Sequence, residues 1–588
     1  MESQTKTCQN CKKNFTIESE DFAFYEKMKV PAPTWCPECR LIRRLCFFNE
    51  RTIYKRKCDL CDADILSLYP KDSKFIVYCS SCYQSDKWDP YSYGQEVDFS
   101  RPFLEQVKEL FEKVPVGGVN VTASTMQNSS YCNCATYLKN CYLLFNSDYD
   151  EDSMFSTCLE RSKWCLDIYM SDLCEFCYEG SNLFKCFQTV YSRDCNECMN
   201  VSFCRNLIGC SNCFGCINLR NKQYYIFNEP YSKEEYLEKI AEFNTGSQIA
   251  VEEFYKKLKE IWMRTPRKFM TGLKNHNAVG DYIFNSKNVK NSYEVAMSED
   301  CKYCHWLLVN GMGVSKNCYD YTMWGGNADK NYECMATGGA ESNIRFSSNC
   351  WTEGMNIEYC KNSLMGGFDL FGCAIVKEGR FCILNKQYSE KEYNALREKI
   401  IEHMDKMPYV DKKGRVYKYG EFFPSELSPF CYNESLAQIH FPLTREEALE
   451  KGFEWRDPVE RSYKITLNNK DIPDDIKNVS DKIFGEVIEC GHKGKCNEQC
   501  ATAFIITASE LEFYRKINVP LPRFCPSCRH YMRLRDRNPI NKLWHRQCMC
   551  DRPNHGHEGK CSNEFETSYA PDSKETIYCE SCYSNEVA

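Results

Sequence analysis

Paired cysteines fix what the two ends of this chain can become. Cys8 and Cys11 form a CxxC knuckle, and a 24-residue gap separates them from a second knuckle, Cys36 and Cys39. Cys58 and Cys61, then Cys79 and Cys82, repeat the pattern with a 17-residue gap. Each knuckle offers two thiolates about one turn apart. Folding the gap into a hairpin closes four sulfurs into the tetrahedron that Zn²⁺ takes. The start, MESQTKTCQNC, lacks an apolar signal region, so a reducing, cytoplasmic setting is expected. There, cysteines bind metal or pack as small apolar groups rather than forming disulfides.

The C-terminus repeats the arrangement. CKKNFTIESEDFAFYEKMKVPAPTWCPECR from Cys11 aligns with CATAFIITASELEFYRKINVPLPRFCPSCR from Cys500, and a 24-residue gap again separates Cys500 from Cys525. Cys561 and Cys579 reproduce the 17-residue gap, and YCESCY matches YCSSCY. A duplicated double-ribbon module with four zinc sites is expected. Its ligands are Cys8, Cys11, Cys36, Cys39; Cys58, Cys61, Cys79, Cys82; Cys496, Cys500, Cys525, Cys528; and Cys548, Cys561, Cys579, Cys582. Two ligands stay open. The knuckle CNEQC is one residue too long, so Cys490 or His492 can replace Cys496. Cys550, His555 or His557 can replace Cys548.

With their CPECR and CPSCR endings, segments 8–43 and 496–533 resemble the probable zinc-ribbon domain family of bacteria. That resemblance implies zinc and a ribbon fold, and names no substrate. The remainder resembles uncharacterised Cys-rich repeat proteins.

The middle is a second duplication. GCINLRNKQYYIFNEPYSKEEYLEKI from Gly215 pairs with GCAIVKEGRFCILNKQYSEKEYNALREKI from Gly372. Each copy then opens a helix through a capping box, Ser232 with Glu235 and Ser389 with Glu392. Upstream, a Cys or aromatic recurs at roughly 14–24 residues between polar corners, which predicts stacked rungs of a β-solenoid with Cys laddered inside. Cys204, Cys210, Cys213 and Cys216, ending in CSNCFGC, have the spacing of an iron–sulfur site. The second copy puts Leu370 and Gly367 in two of these slots, which favours packed apolar positions.

The predicted fold is therefore mostly β and multidomain, zinc ribbons flanking two Cys-rich solenoid-like domains joined by short helices. The boundaries are a double ribbon at 1–95, a helical connector at 96–116, solenoid copies at 117–240 and 283–400 with a helical connector at 241–282 between them, an aromatic segment, short helix and polar linker at 401–487, and a second double ribbon at 488–588.

The net charge is -7, so nucleic-acid binding needs a local patch. Residues 40–57 and 523–546 each sum to +6 with aromatics interleaved. Arg40, Arg43, Arg44, Arg56, Arg529, Arg533, Arg535 and Arg546 are thus candidates for binding RNA, DNA or a ribonucleoprotein. A zinc on four thiolates carries a formal charge of about −2, so the same cations can equally neutralise the ribbons. A protein partner on the solenoid faces is the alternative, and a redox or iron–sulfur protein a weaker one. No HExxH, P-loop or GxSxG pattern suggests an enzyme. CKYC followed by His305 fits a haem attachment motif but reads better as part of a rung. No run of 18 apolar residues predicts a membrane span.

Overall fold

The computed structural model describes residues 2–308, 312–363, 366–457 and 463–587. Two large sheets dominate, of 11 and 13 strands, nearly all parallel. The spacing expected from sequence is corrected here. In the first stack paired strands are offset by twelve residues, as in Phe145↔Thr157, Thr157↔Tyr169 and Ser181↔Arg193.

A shorter period underlies the twelve. From Asn128 to Phe227 every third residue has positive φ, with Gly209 and Gly215 taking two of the positions. Four such bends return the chain to its starting direction, and the next coil lies parallel on the last. A left-handed conformation costs roughly 1–2 kcal/mol for a residue with a Cβ. Side-chain ladders offset part of that: Asn128 donates to Asn140 at 3.1 Å, and Asn140 to Asp152 at 3.0 Å.

The residue after each bend points inward, which explains the cysteines. An interior side chain is apolar, as at Leu138, Leu144 and Leu207, or small enough to answer backbone groups left at the corners. Cys204 Sγ donates to the Ser202 carbonyl at 3.2 Å and the Cys213 carbonyl at 3.5 Å, and accepts from the Cys216 N–H at 3.4 Å. Serine does the same: Ser192 Oγ donates to the Val190 carbonyl at 2.9 Å and accepts from Cys204 N–H at 3.0 Å. Cys210, Cys213 and Cys216 likewise donate to carbonyls within the buried interior.

The second stack begins at Gly272–Leu273, inside the segment expected to be a connector. Its offsets are mostly twelve (Val289↔Cys301) and thirteen (Tyr319↔Tyr332, Met355↔Phe368), with eleven at the start (Gly272↔Ile283) and seventeen at Lys302↔Tyr319. Paired left-handed residues, Gly325 with Gly326 and Thr352 with Glu353, take up an extra residue at corners. Each stack ends in an antiparallel hairpin, where Asn228 and Asn385 hold both backbone groups of Ile217 and Ala374 at 2.8–2.9 Å. The capped helices Lys233–Ala241 and Glu390–Lys406 follow, with both capping boxes formed. An edge that would template further pairing is thus closed.

The terminal modules embrace the stacks crosswise. Strand Val77–Tyr78 pairs with Val116–Gly117 ahead of the first stack, and Ile577–Tyr578 with Arg267–Lys268 ahead of the second. Yet the N-terminal helix Pro37–Leu45 packs on the second stack, and the C-terminal helix Pro526–Arg535 on the first. The expected polar linker at 457–487 is not free, since Ile472, Ile476, Val479 and Ile483 are buried in the C-terminal core. Residues 458–462 of it lie outside the described residues.

Candidate metal centres and the basic helices

Four groups of four cysteines come together, two at each end of the chain. In a tetrahedron with metal–sulfur bonds of about 2.3 Å, neighbouring sulfurs sit about 3.8 Å apart, against about 2.05 Å in a disulfide. The separations are 3.7 Å for Cys11–Cys36 and Cys61–Cys79, 3.5 Å for Cys525–Cys528 and 4.0 Å for Cys561–Cys579. All the described cysteines are free thiols.

One hydrogen bond defines the ligand order. The backbone N–H of the third ligand donates to the first ligand's sulfur at 3.2 Å in all four groups: Cys36 to Cys8, Cys79 to Cys58, Cys525 to Cys490, and Cys579 to Cys548. The N-terminal eight and Cys548, Cys561, Cys579 and Cys582 are brought together as expected. Cys496 is corrected. Cys490 completes the third group with Cys500, Cys525 and Cys528, because it occupies the place of Cys8. Gap-free alignment back from CPSCR places Cys8 over Asn497, so the longer loop between Cys490 and Cys500 hides this ligand from the sequence. Cys496 lies beside the group, 3.7 Å from Cys528. Cys550 pairs with His555 at 3.2 Å, and His557 Nε2 sits 3.4 Å from Cys582.

Backbone geometry prepares these sulfurs. Cys36, Cys79 and Cys525 are N-caps of the helices that follow, where free N–H groups favour a thiolate. Bonds from the Cys36 and Cys39 thiols hold Cys8 far below the ordinary thiol range. Burial works against Cys58, yet the N–H groups of Cys79, Leu60 and Cys61 bring it down to about 6.

Most arginines of the basic runs turn inward, while Lys55, Lys57, Arg535 and Lys542 stay exposed. Arg40, Arg43 and Arg44 are at most 1% exposed and face three carboxylates. Arg40 meets Asp320 at 2.8 Å, Arg43 meets Glu333 and Glu421 at 3.0 Å each, and Arg44 meets Asp320 at 3.1 Å and Glu333 at 3.4 Å. The C-terminal module repeats this on the first stack. Arg529 and Arg533 hold Asp167 at 3.0 and 2.9 Å, and Arg533 reaches Glu179 at 3.6 Å. Asp167 and Glu179 are one coil apart, as are Asp320 and Glu333, so each helix reads two successive rungs.

The remaining candidates are also engaged. Arg56 is buried, donating to the Pro70 carbonyl at 3.1 Å and pairing with Asp59. Arg546, half-buried, makes the equivalent bond to Ala570 at 2.9 Å. Arg535 alone is well exposed, at 60% of its side chain, and it pairs with Glu498 at 2.7 Å. Of the eight arginines expected to meet phosphates, six are buried, where their charges answer carboxylates and carbonyls of this chain, and Arg535 and Arg546 are not. His305 lies buried in the second stack, its Nε2 3.3 Å from Glu294.

Between the stacks runs a cavity of about 1900 Å³ lined by both. Asp148, Glu160 and Asp172 succeed one another in register on the first stack's wall, while Met323, Trp324 and Trp351 line the other. Arg161 pairs with Asp172 at 3.0 Å.

No protein-family model matches the chain, and a search of the curated proteins found no match. Among the described residues, no helix is long and apolar enough to cross a membrane.

Proposed function

We propose that this protein is a zinc-stapled binding scaffold: four zinc ribbons clamp two β-solenoid coils so that their facing walls enclose a cleft for a partner. The observation that carries it is the crossed clasp. Helix Pro37–Leu45 inserts three arginines at Asp320 and Glu333, and helix Pro526–Arg535 two at Asp167 and the half-buried Glu179, each on the stack more distant in sequence. Arginines so placed hold parts of one molecule together, and they are not available to phosphate. Four-cysteine groups with this spacing suit zinc, and the resemblance of the CPECR and CPSCR segments to bacterial zinc ribbons supports the same metal. Thiols this numerous and unpaired suit a reducing compartment.

The cleft is where a partner lies, because it combines volume with a carboxylate row on one wall and Trp and Met side chains on the other. A test removes the metal with a strong chelator, with loss verified by elemental analysis. The ribbons should unfold while the coils, which close their own hydrogen bonds, keep their β-sheet circular dichroism. Small-angle scattering should show the particle expanding as the clasp releases. Unchanged dimensions after complete metal loss refute the clamp, and iron with sulfide in place of zinc refutes the assigned metal.

A further inference from the structure

The N-terminal knuckle Cys8–Cys11 encloses only Gln9 and Asn10, whereas its counterpart Cys490–Cys500 encloses nine residues. That insertion carries His492, Cys496 and Glu498. It folds back so that one donor atom from each, together with Cys528 Sγ, all lie within 4.8 Å of one another. Cys528 thus belongs to two groups of four at once.

We infer that this ribbon holds a second divalent metal ion of the zinc class, ligated by His492, Cys496 and Glu498 and joined to the first ion through Cys528 as a shared thiolate. The inference rests on the Cys490, Cys500, Cys525 and Cys528 group being a metal site.

Three observations lead to it. The Cys496–Cys528 separation of 3.7 Å equals the Cys11–Cys36 and Cys61–Cys79 edges of two complete groups. Glu498, 7% exposed, turns Oε2 toward His492 Nδ1 at 3.1 Å, and neither atom makes a hydrogen bond. A nitrogen and an oxygen each about 2.0–2.2 Å from one ion stand close to that separation. The N-terminal equivalent shows what a single site does instead: Cys39, the counterpart of Cys528, accepts the Asn10 side-chain amide at 3.2 Å. An amide N–H satisfies a sulfur that serves one ion, while Cys496 stands where a second ion would be bound.

The charge balance permits it. Two divalent ions against five thiolates and one carboxylate leave a formal charge of about −2, the same as one ion on four thiolates. The insertion also touches its surroundings. Asn497 donates to the Leu443 carbonyl at 2.8 Å, Gln499 to that of Asn433, and Arg535 pairs with Glu498. A second ion would therefore stiffen the seam between the C-terminal ribbon and the 401–456 segment.

The test compares zinc per chain, by elemental mass spectrometry, in the full-length protein and in a variant combining His492→Ala, Cys496→Ser and Glu498→Gln. The variant should hold one zinc fewer with all four groups of four cysteines intact, and equal zinc in the two proteins overturns the inference. A second measurement needs no variant. In the unmodified protein loaded with Co²⁺, a shared thiolate couples two ions and lowers the magnetic moment per cobalt, whereas uncoupled cobalt throughout overturns it. Complete absence of bound zinc from the unmodified protein instead refutes the ribbon assignment on which the inference stands.

Discussion

Replacing Glu333 by Gln tests the clasp most sharply, because the change preserves shape and removes one charge. Three guanidiniums, Arg40, Arg43 and Arg44, face Asp320, Glu333 and Glu421, so the buried cluster is neutral as it stands. Glu333 contacts all three arginines, at 3.7, 3.0 and 3.4 Å. At an effective dielectric constant of about 20, an ion pair at this range is worth about 5 kcal/mol before desolvation. Breaking a buried pair on one side typically costs about 3–5 kcal/mol, because the charge left behind has neither water nor partner. We expect Glu333→Gln to lower stability by that amount, read as a shift of the denaturant midpoint. Adding Arg43→Met should recover part of the loss, since it restores the charge balance, leaving Arg40 and Arg44 against Asp320 and Glu421. On an exposed basic helix both changes would stay within about 0.5 kcal/mol. A loss below about 1 kcal/mol for Glu333→Gln, or no recovery in the double variant, refutes the clasp.

The symmetry-related change, Asp167→Asn, should cost a similar few kcal/mol, because Arg529 and Arg533 share that carboxylate, and an effect confined to one half would show the clasps to be unequal. Burial lifts Glu50 to about 7, over the opposing help of Arg51 and Asn146. The native state therefore binds a proton that the unfolded chain has released, and this group's contribution is fully present below about pH 4.5 and lost as pH rises to 7. Denaturant midpoints measured across that window should fall less steeply with pH in Glu50→Gln than in the unmodified protein. In the first stack, Cys204→Ser should cost less than about 1.5 kcal/mol, because a hydroxyl can take both carbonyl bonds, while Cys204→Leu should cost about 1–3 kcal/mol by overpacking. A larger loss for Cys204→Ser than for Cys204→Leu in thermal melts would contradict the interior role given to Cys204.

The amino-acid sequence determined features that rest on local chemistry. The CxxC spacing places sulfurs within one ion's reach, and the capping boxes at Ser232 and Ser389 form as their residues dictate. Asn228 and Asn385, matched in the sequence, make equivalent bonds at the ends of the two large sheets. The three-residue period was present as well, in Cys132, Ala135, Leu138 and Cys141, but it is hidden because successive inward positions take residue types as different as Cys, Ser, Ala and Leu.

Tertiary structure alone decided where charges meet. Arg43 and Glu333 are 290 residues apart, and nothing local distinguishes an arginine destined for a buried acid from one destined for phosphate. The choice between Cys490 and Cys496 was settled in the same way, since spacing restricts which thiols can converge but only the fold supplies the N–H of Cys525 that selects one of them. Burial makes such distant partners consequential: a charge taken out of water must find its opposite, and the partner it finds is fixed by how the two large sheets and the terminal modules pack.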